Sequence, residues 1–169
     1  YIRLIAQGRF TDAYMVNRES NVFPGILGRT CDRPREPACR RGRIDGKPVA
    51  ICRLKRVAAD NRGEVKHLLP QAPSVKNGRK VACVGAGPAS LTVARDLAPL
   101  GYSVTVFDRD PRAGGMIWSQ IPRFRLPLEV IDEEVNYILD LGVEFKGGVQ
   151  IDSMKQLMAE GYDAIFVGS

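Results

Sequence analysis

Residues 81–108 read VACVGAGPASLTVARDLAPLGYSVTVFD. A run of four apolar residues, a glycine turn, a helical segment and a second apolar run follow one another, which predicts a β-α-β unit. Downstream lie a helix between Pro127 and Gly142, the strand VEFKG, a helix in which Ser153 and Gln156 have capping-box spacing, and the strand AIFVG. The sequence therefore predicts an α/β fold with a parallel sheet of four strands.

The turn after the first strand has the pattern of a dinucleotide-binding fingerprint. The first glycine makes the tight turn, and the second lets backbone N–H groups approach a pyrophosphate at the start of the helix. The third position, which is usually Gly or Ala, is a serine here. The predicted binding residues of this turn are Gly85, Gly87, Pro88, Ala89 and Ser90. A glycine turn in an unrelated α/β protein is the alternative, and the surrounding strands and helix argue against it.

Asp108 ends the second predicted strand, 23 residues after Gly85. The fingerprint places an acid about 20 residues after its first glycine, where it accepts the ribose hydroxyls. A carboxylate there repels a 2′-phosphate, whereas the neighbouring Arg109 could accept one. The two residues leave the choice between NAD and NADP open.

The N-terminal third of the chain has a different pattern. Residues 1–60 predict short helices (YIRLIAQ, then DAYMVNRES behind a Thr11 cap, then VAICRLKRVAAD) around a loop, residues 21–47, that has no clear period. Residues 61–79 contain two glycines and two prolines and predict a linker. We therefore expect a helical domain at 1–60, the linker at 61–79, and the first half of a Rossmann-like domain at 80–169.

The net charge of +6 is concentrated in residues 29–56, which hold ten Lys and Arg against three acids. Nucleic-acid binding is the rival interpretation, but this segment has no aromatic residue that could stack on a base. No window approaches the roughly 18 apolar residues of a membrane span, and the first residues lack a signal-peptide pattern. We expect a cytoplasmic protein that binds neither nucleic acid nor membrane.

The chain resembles the small subunit of NADPH-dependent glutamate synthase and the related N-terminal half of dihydropyrimidine dehydrogenase. The resemblance covers essentially all 169 residues and rests on FPGILGRTC, RGRIDGKPVAICRLKR, residues 81–127 and YDAIFVGS. It implies an oxidoreductase that passes electrons from NADPH through FAD to iron–sulfur centres and a partner, which we expect to be a larger catalytic subunit or domain. The alternative is a non-catalytic docking module with an incomplete nucleotide site.

The resemblance also implies which residues hold the cofactors. Gly114 and Gly115, followed by IPRFRLP, resemble the FAD half-site of the family, so FAD becomes the expected dinucleotide. NADPH would bind a domain outside these residues, and we expect the chain to be an N-terminal fragment. No residue of this chain is predicted to be catalytic, because the flavin carries the redox chemistry.

Two [4Fe-4S] clusters are implied for the N-terminal domain, ligated in part by a C-x3-C-x3-C run. Cys31 and Cys39 match that run, but its middle position is Arg35. A guanidinium cannot ligate iron, and a cubane needs four protein ligands. Cys52 could serve as a substitute ligand, which makes Cys31, Cys39 and Cys52 the candidate metal ligands. The alternative is that these three thiols bind no metal, while Cys83 in the run VACV is a buried apolar residue.

Overall fold

The computed structural model describes residues 1–168, which fold into two compact units. The first contains Tyr1–Leu68 together with Phe124–Leu126, and the second contains Leu69–Arg123 and the residues from Pro127 onward. Within residues 1–168 no helix is long and apolar enough to cross a membrane.

The first unit is helical. Its elements are α1 (Ile2–Ala6), α2 (Phe10–Ser20), α3 (Pro24–Thr30), α4 (Arg40–Asp45), α5 (Ile51–Asp60) and a 3-10 turn at Lys66–Leu68. Helices α3 and α4 lie in the stretch for which the sequence showed no period. Neither helix has more than seven residues, which is too short for a helical period to be visible in the sequence. The predicted Thr11 cap is wrong: Thr11 lies inside α2, and its hydroxyl accepts a hydrogen bond from the Gly63 N–H at 3.0 Å.

The packing of α3 against α5 organises this first unit. A Cβ atom added to Gly28 would lie 2.8 Å from the backbone nitrogen of Arg56, so the two helices meet at a position without a side chain. The Arg29 guanidinium donates to the Gly25 carbonyl at 3.1 Å and to the Asp60 carboxylate at 2.6 Å. This guanidinium therefore ties α3 to the end of α5.

The second unit is the predicted α/β layer. Its elements are β1 (Lys80–Val84), α6 (Pro88–Leu97), a 3-10 turn (Ala98–Leu100), β2 (Ser103–Asp108), α7 (Met116–Ser119), α8 (Leu128–Leu139), β3 (Glu144–Gly147), α9 (Met154–Ala159) and β4 (Ala164–Val167). The strands form one sheet in the order β3-β2-β1-β4, and every pairing is parallel. The predicted fold class and all four predicted strands are confirmed.

Strand β1 lies inside this sheet and explains why its sequence is a continuous apolar run. Val81 pairs with Val104 on one side and Ala164 on the other. Ala82 and Cys83 have no exposed surface, as expected for a parallel strand covered on both faces. The buried Cys83 thiol confirms the sequence interpretation, and its burial raises its pKa to about 11.

Helices α8 and α9 test the finer predictions. The Ser153 hydroxyl accepts a hydrogen bond from the Gln156 N–H at 3.3 Å, so the predicted cap of α9 forms. The three consecutive acids of α8, Asp132, Glu133 and Glu134, predict a solvated helix face, but Glu134 is only 1% exposed. Glu134 lies three residues after the buried Ile131, and helical periodicity therefore places it on the apolar stripe.

Candidate functional site

The fingerprint turn lies at the carboxyl end of β1. Gly85 has φ +91°, which favours glycine, and its N–H donates to the Phe107 carbonyl of β2 at 2.8 Å. Helix α6 then starts with Gly87 as N-cap and Pro88 as its first residue. The first-turn N–H groups of Ala89 and Ser90 have no acceptor within the helix, so they and the helix dipole can receive an anion.

A second glycine loop meets the turn. Gly114 and Gly115 have φ +125° and +54°, and the Gly114 N–H donates to the Ala86 carbonyl at 2.9 Å. A Cβ atom on Gly115 would lie 2.9 Å from the Gly87 Cα. The two glycine loops therefore approach each other through backbone alone, and a side chain on Gly115 would displace the turn.

Asp108 is fixed beside this turn at the end of β2. One carboxylate oxygen, Oδ2, accepts from the Ala86 N–H at 2.5 Å, and Oδ1 accepts from the Asp110 N–H at 2.8 Å. A carboxylate offers about four lone-pair sites, so these two bonds leave acceptor capacity for ribose hydroxyls. Arg109 is exposed.

Ser90, the departure from the usual fingerprint, is fully buried, and its hydroxyl has no hydrogen-bond partner within residues 1–168. A Cβ atom on Gly168, just after β4, would overlap the Ser90 Oγ. Ser90 thus fills the close helix-to-strand contact for which the fingerprint normally uses Gly or Ala. Gly168 was not among the predicted site residues, although its place after a parallel strand is where such sites are found.

The sequence reasoning also missed the surroundings of Trp118 in α7. The guanidinium carbons of Arg112 and Arg123 lie 5.5 and 5.6 Å from the centre of its ring. Arg112 also contacts the Asp132 carboxylate at 3.2 Å. The sequence contained a signal, since this is the single tryptophan of the chain, it follows the glycine pair closely, and Arg112 and Arg123 lie on either side of it.

The candidate metal ligands lie in the first unit. Cys31 follows the last residue of α3, and Cys52 is the second residue of α5, which packs against α3. The nearby Cys52 side chain and the Arg33 N–H lower the pKa of Cys31, whereas burial raises the pKa of Cys52 to about 11. Cys39 is the N-cap of α4, and N–H donors from Val49 and Arg41 lower its pKa.

These cysteines do not by themselves fit a [4Fe-4S] cubane. Four protein ligands are needed, and within residues 1–168 no three His, Cys, Asp or Glu side chains are gathered as a metal site. The exposed Arg35 stands at the position of the missing thiolate.

Comparisons with known families divide the chain at nearly the same place as the structure. Residues 1–67 match a family described as dihydropyrimidine dehydrogenase domain II, 4Fe-4S cluster. Residues 83–144 match a family described as NAD(P)-binding Rossmann-like domain. The two matches follow one another in the order that the sequence resemblance implied.

Three curated relatives are similar to this chain over nearly its whole length. The chain is 36% identical to the NADP(+)-dependent formate dehydrogenase subunit beta of Moorella thermoacetica, over 100% of the chain and 27% of the relative. It is 37% identical to the NAD-dependent dihydropyrimidine dehydrogenase subunit PreT of Salmonella typhimurium, over 99% of the chain and 41% of the relative. It is 34% identical to the glutamate synthase [NADPH] small chain of Mycobacterium tuberculosis, over 96% of the chain and 33% of the relative.

The chain is a homologue of these oxidoreductase subunits. The resemblance stated from the sequence is thereby confirmed, and so is the order of an iron–sulfur-type domain followed by a Rossmann-like domain. The chain spans between about a quarter and two fifths of the length of these oxidoreductase subunits.

Proposed function

We propose that residues 80–169 form the adenosine-diphosphate-binding half of an FAD site in an electron-transfer oxidoreductase. The observation that carries the proposal is the meeting of two glycine loops, at Gly87 and Gly115, over the first turn of α6. At this meeting point no side chain lies between the two loops, and the first-turn N–H groups of α6 are available as donors. Such a site suits a diphosphate, which main-chain N–H groups alone can bind.

The parts of this chain bind and orient the cofactor. The N–H groups of Gly87, Ala89 and Ser90 would receive the diphosphate, and the Asp108 carboxylate would accept the adenosine ribose hydroxyls. Bound there, FAD would supply the capacity to accept a hydride and to pass electrons on singly. The residues described here supply position and electrostatics for that chemistry.

The choice of FAD over NADP(H) at this half-site rests on Asp108. Its carboxylate is fixed by two backbone N–H groups at the ribose end of the site. A 2′-phosphate there would place like charges together, whereas FAD and NAD carry no 2′-phosphate. Binding of NADPH is therefore assigned to a part of the protein outside residues 80–169.

The organisation of the whole protein belongs to the same proposal. We take residues 1–60 as the helical domain of iron–sulfur type, 61–79 as the linker, and a larger catalytic subunit or domain as the electron-accepting partner. The protein would work in the cytoplasm. The subunit names of the relatives support a partner of this kind.

The proposal is tested by titrating the chain with FAD, NAD and NADP and measuring binding by calorimetry. Affinity should be modest, because the flavin ring would lie outside the half-site and partial contacts still incur the ordering cost. We expect FAD to bind more tightly than NADP, and Asp108→Asn to reduce FAD binding by about tenfold, the value of about one charge-assisted hydrogen bond.

The matched control is Asp96→Asn, an exposed carboxylate of α6 that pairs with Arg95. It should leave the affinity for FAD unchanged. Tighter binding of NADP than FAD would contradict the cofactor assignment. If no dinucleotide bound at all, even to the full-length protein, the non-catalytic docking module would be the better interpretation.

A further inference from the structure

Helix α4 presents an aliphatic side chain to solvent. None of its six residues, Arg40–Asp45, is buried, and Ile44 is 83% exposed. Gly42 faces the body of the first unit, since a Cβ atom there would lie 3.8 Å from the Pro48 nitrogen. Two residues along a helix correspond to a rotation of about 200°. Arg40 and Ile44, two positions before and after Gly42, therefore point away from this unit.

The segment around Ile44 is strongly basic. Residues 33–47 hold six cations against two acids, a net charge of +4. Two tight turns connect Arg33 to α4, with the Glu36 N–H donating to the Arg33 carbonyl and the Cys39 N–H to the Glu36 carbonyl, both at 3.1 Å. We call Ile44 and the exposed cations of this segment that have no ion-pair partner within residues 1–168 the α4 surface; these cations are Arg33, Arg35, Arg40, Arg43 and Lys47.

The composition of the α4 surface differs from that of an ordinary solvated face. Four of its five cations are arginines, a residue type that is enriched in protein–protein interfaces, where lysine is depleted. A guanidinium is weakly hydrated and binds a carboxylate with two parallel hydrogen bonds. Ile44 adds the apolar contact that the centre of an interface uses. Residues 33–47 contain no aromatic residue that could stack on a base, so a protein fits this surface better than a nucleic acid.

The sign and extent of the α4 surface indicate the kind of protein that would bind it. A net charge of +4 is complementary to a cluster of carboxylates. Permanent subunit interfaces bury more than about 2,000 Å² and are largely apolar, whereas transient electron-transfer encounters bury less than about 1,200 Å². One exposed aliphatic side chain among charges is typical of the second kind.

We propose that the α4 surface is a docking site for a small acidic electron-carrier protein that binds transiently. The inference rests on the proposed function, since an electron-transfer oxidoreductase needs a protein that exchanges electrons with it. Carboxylates of the carrier pair with the arginines of the α4 surface, and an apolar residue of the carrier covers Ile44. Long-range attraction between the two charged surfaces raises the rate at which the proteins meet.

The test measures binding of the full-length protein to flavodoxin, a small acidic electron carrier, by surface plasmon resonance. We expect the affinity to fall by about tenfold or more when the salt concentration rises from about 0.01 M to about 0.15 M, because the Debye length falls from about 30 Å to about 8 Å. Hydrogen exchange then locates the contact. Bound flavodoxin should slow the exchange of the backbone amides of residues 39–47.

Two double variants with equal net charge separate the α4 surface from the charge of the whole protein. Arg40→Glu/Arg43→Glu should weaken flavodoxin binding by about tenfold or more, because it reverses two charges at the contact. Lys76→Glu/Lys155→Glu is the control, since both lysines are exposed and lie in the second unit, and its affinity should stay within about twofold of the wild type.

A third variant tests the apolar contact. Ile44→Ser should weaken flavodoxin binding by about tenfold, the effect of removing one anchoring side chain. Because Ile44 is exposed, the variant should keep the circular dichroism spectrum of the wild type. An affinity that does not change would show that Ile44 is not at the contact.

Several results would overturn the docking site. These are no binding of flavodoxin at low salt, equal losses in the two double variants, and protection from exchange outside residues 39–47. Tighter binding to single-stranded DNA or to vesicles of anionic lipid would also overturn it. Titration with FAD keeps the two proposals apart. If FAD binds and flavodoxin does not, only the docking site fails; if flavodoxin binds at residues 39–47 and FAD does not, only the FAD site fails.

Discussion

The two units of the chain present their candidate sites in opposite ways. In the second unit the site consists of positions without side chains, at Gly85, Gly87, Gly114 and Gly115, and one carboxylate held by the backbone. In the first unit the candidate site consists of side chains, three cysteines carried by α3, α4 and α5 or their ends. The structure assembles the glycine site as expected from the sequence, but within residues 1–168 it does not gather the three thiols into a metal site.

The difference lies in what fixes the geometry. A strand, a turn and a helix in direct succession leave few arrangements, so the spacing of glycines predicts where their backbone will be. Cysteines in short helices and irregular turns are placed by packing between elements, which residue spacing does not encode. Family resemblance can supply the missing geometry only where the ligand residues are retained. Here Arg35 occupies the position of one of those ligands, so the resemblance does not fix the geometry of the thiols.

The largest expected effect concerns the meeting of the glycine loops. Gly115→Ala adds a Cβ atom 2.9 Å from the Gly87 Cα at a residue with φ +54°. Backbone strain and overpacking each cost about 1–3 kcal/mol, so we expect about 2–4 kcal/mol of destabilisation in urea unfolding and loss of FAD binding. Gly148→Ala is the control: its φ is +74°, but nothing lies within 4 Å, so only the backbone cost of about 1–2 kcal/mol should remain. Equal losses in the two variants would show that the loops do not touch.

Particular residues show how far the sequence predicts this site. Asp108 was placed at the end of β2 by counting from Gly85, and the structure has it there. Its bond to the Ala86 N–H could not be predicted, because it depends on the angle between the turn and the strand. Glu134 was assigned to a solvated face because it is charged, although the periodicity of α8 placed it among buried residues.

A smaller effect is expected in the helical unit at Gly28. Gly28→Ala would place a Cβ atom 2.8 Å from the Arg56 nitrogen and separate α3 from α5. Overpacking of about 1–3 kcal/mol, less a helix-propensity gain of up to about 1 kcal/mol, predicts a net loss of about 1–2 kcal/mol. The control Gly42→Ala lies in α4 with its nearest neighbouring atom at 3.8 Å, and it should be neutral or slightly stabilising. A stable Gly28→Ala protein would mean that the α3–α5 contact, and with it the position of Cys31, is looser than described.

Two serines of the second unit should respond in opposite directions. The Ser90 hydroxyl is buried without a partner within residues 1–168, so Ser90→Ala should be neutral or up to about 1 kcal/mol more stable without ligand. The Ser153 hydroxyl caps α9, and Ser153→Ala should cost about 1 kcal/mol. Thermal unfolding of the two variants beside the wild type measures both. A clear loss of stability in Ser90→Ala would show that its hydroxyl has a partner.

The smallest expected effect depends on pH and concerns the edge of the sheet. The Asp163 carboxylate accepts from the Lys80 N–H at 2.8 Å and from the Arg79 guanidinium at 2.7 Å, and these bonds, the first foremost, hold its pKa below the usual value. A carboxyl whose pKa is lower in the folded state stabilises the fold above its unfolded pKa of about 4 and loses that contribution as the pH falls through the folded pKa. Because the pair is exposed, the contribution is small. Asp163→Asn should therefore lower the free energy of unfolding slightly at pH 7, and its difference from the wild type should shrink at pH 3. A difference that is the same at both pH values would show that the charge of Asp163 contributes nothing to the pairing of β1 with β4.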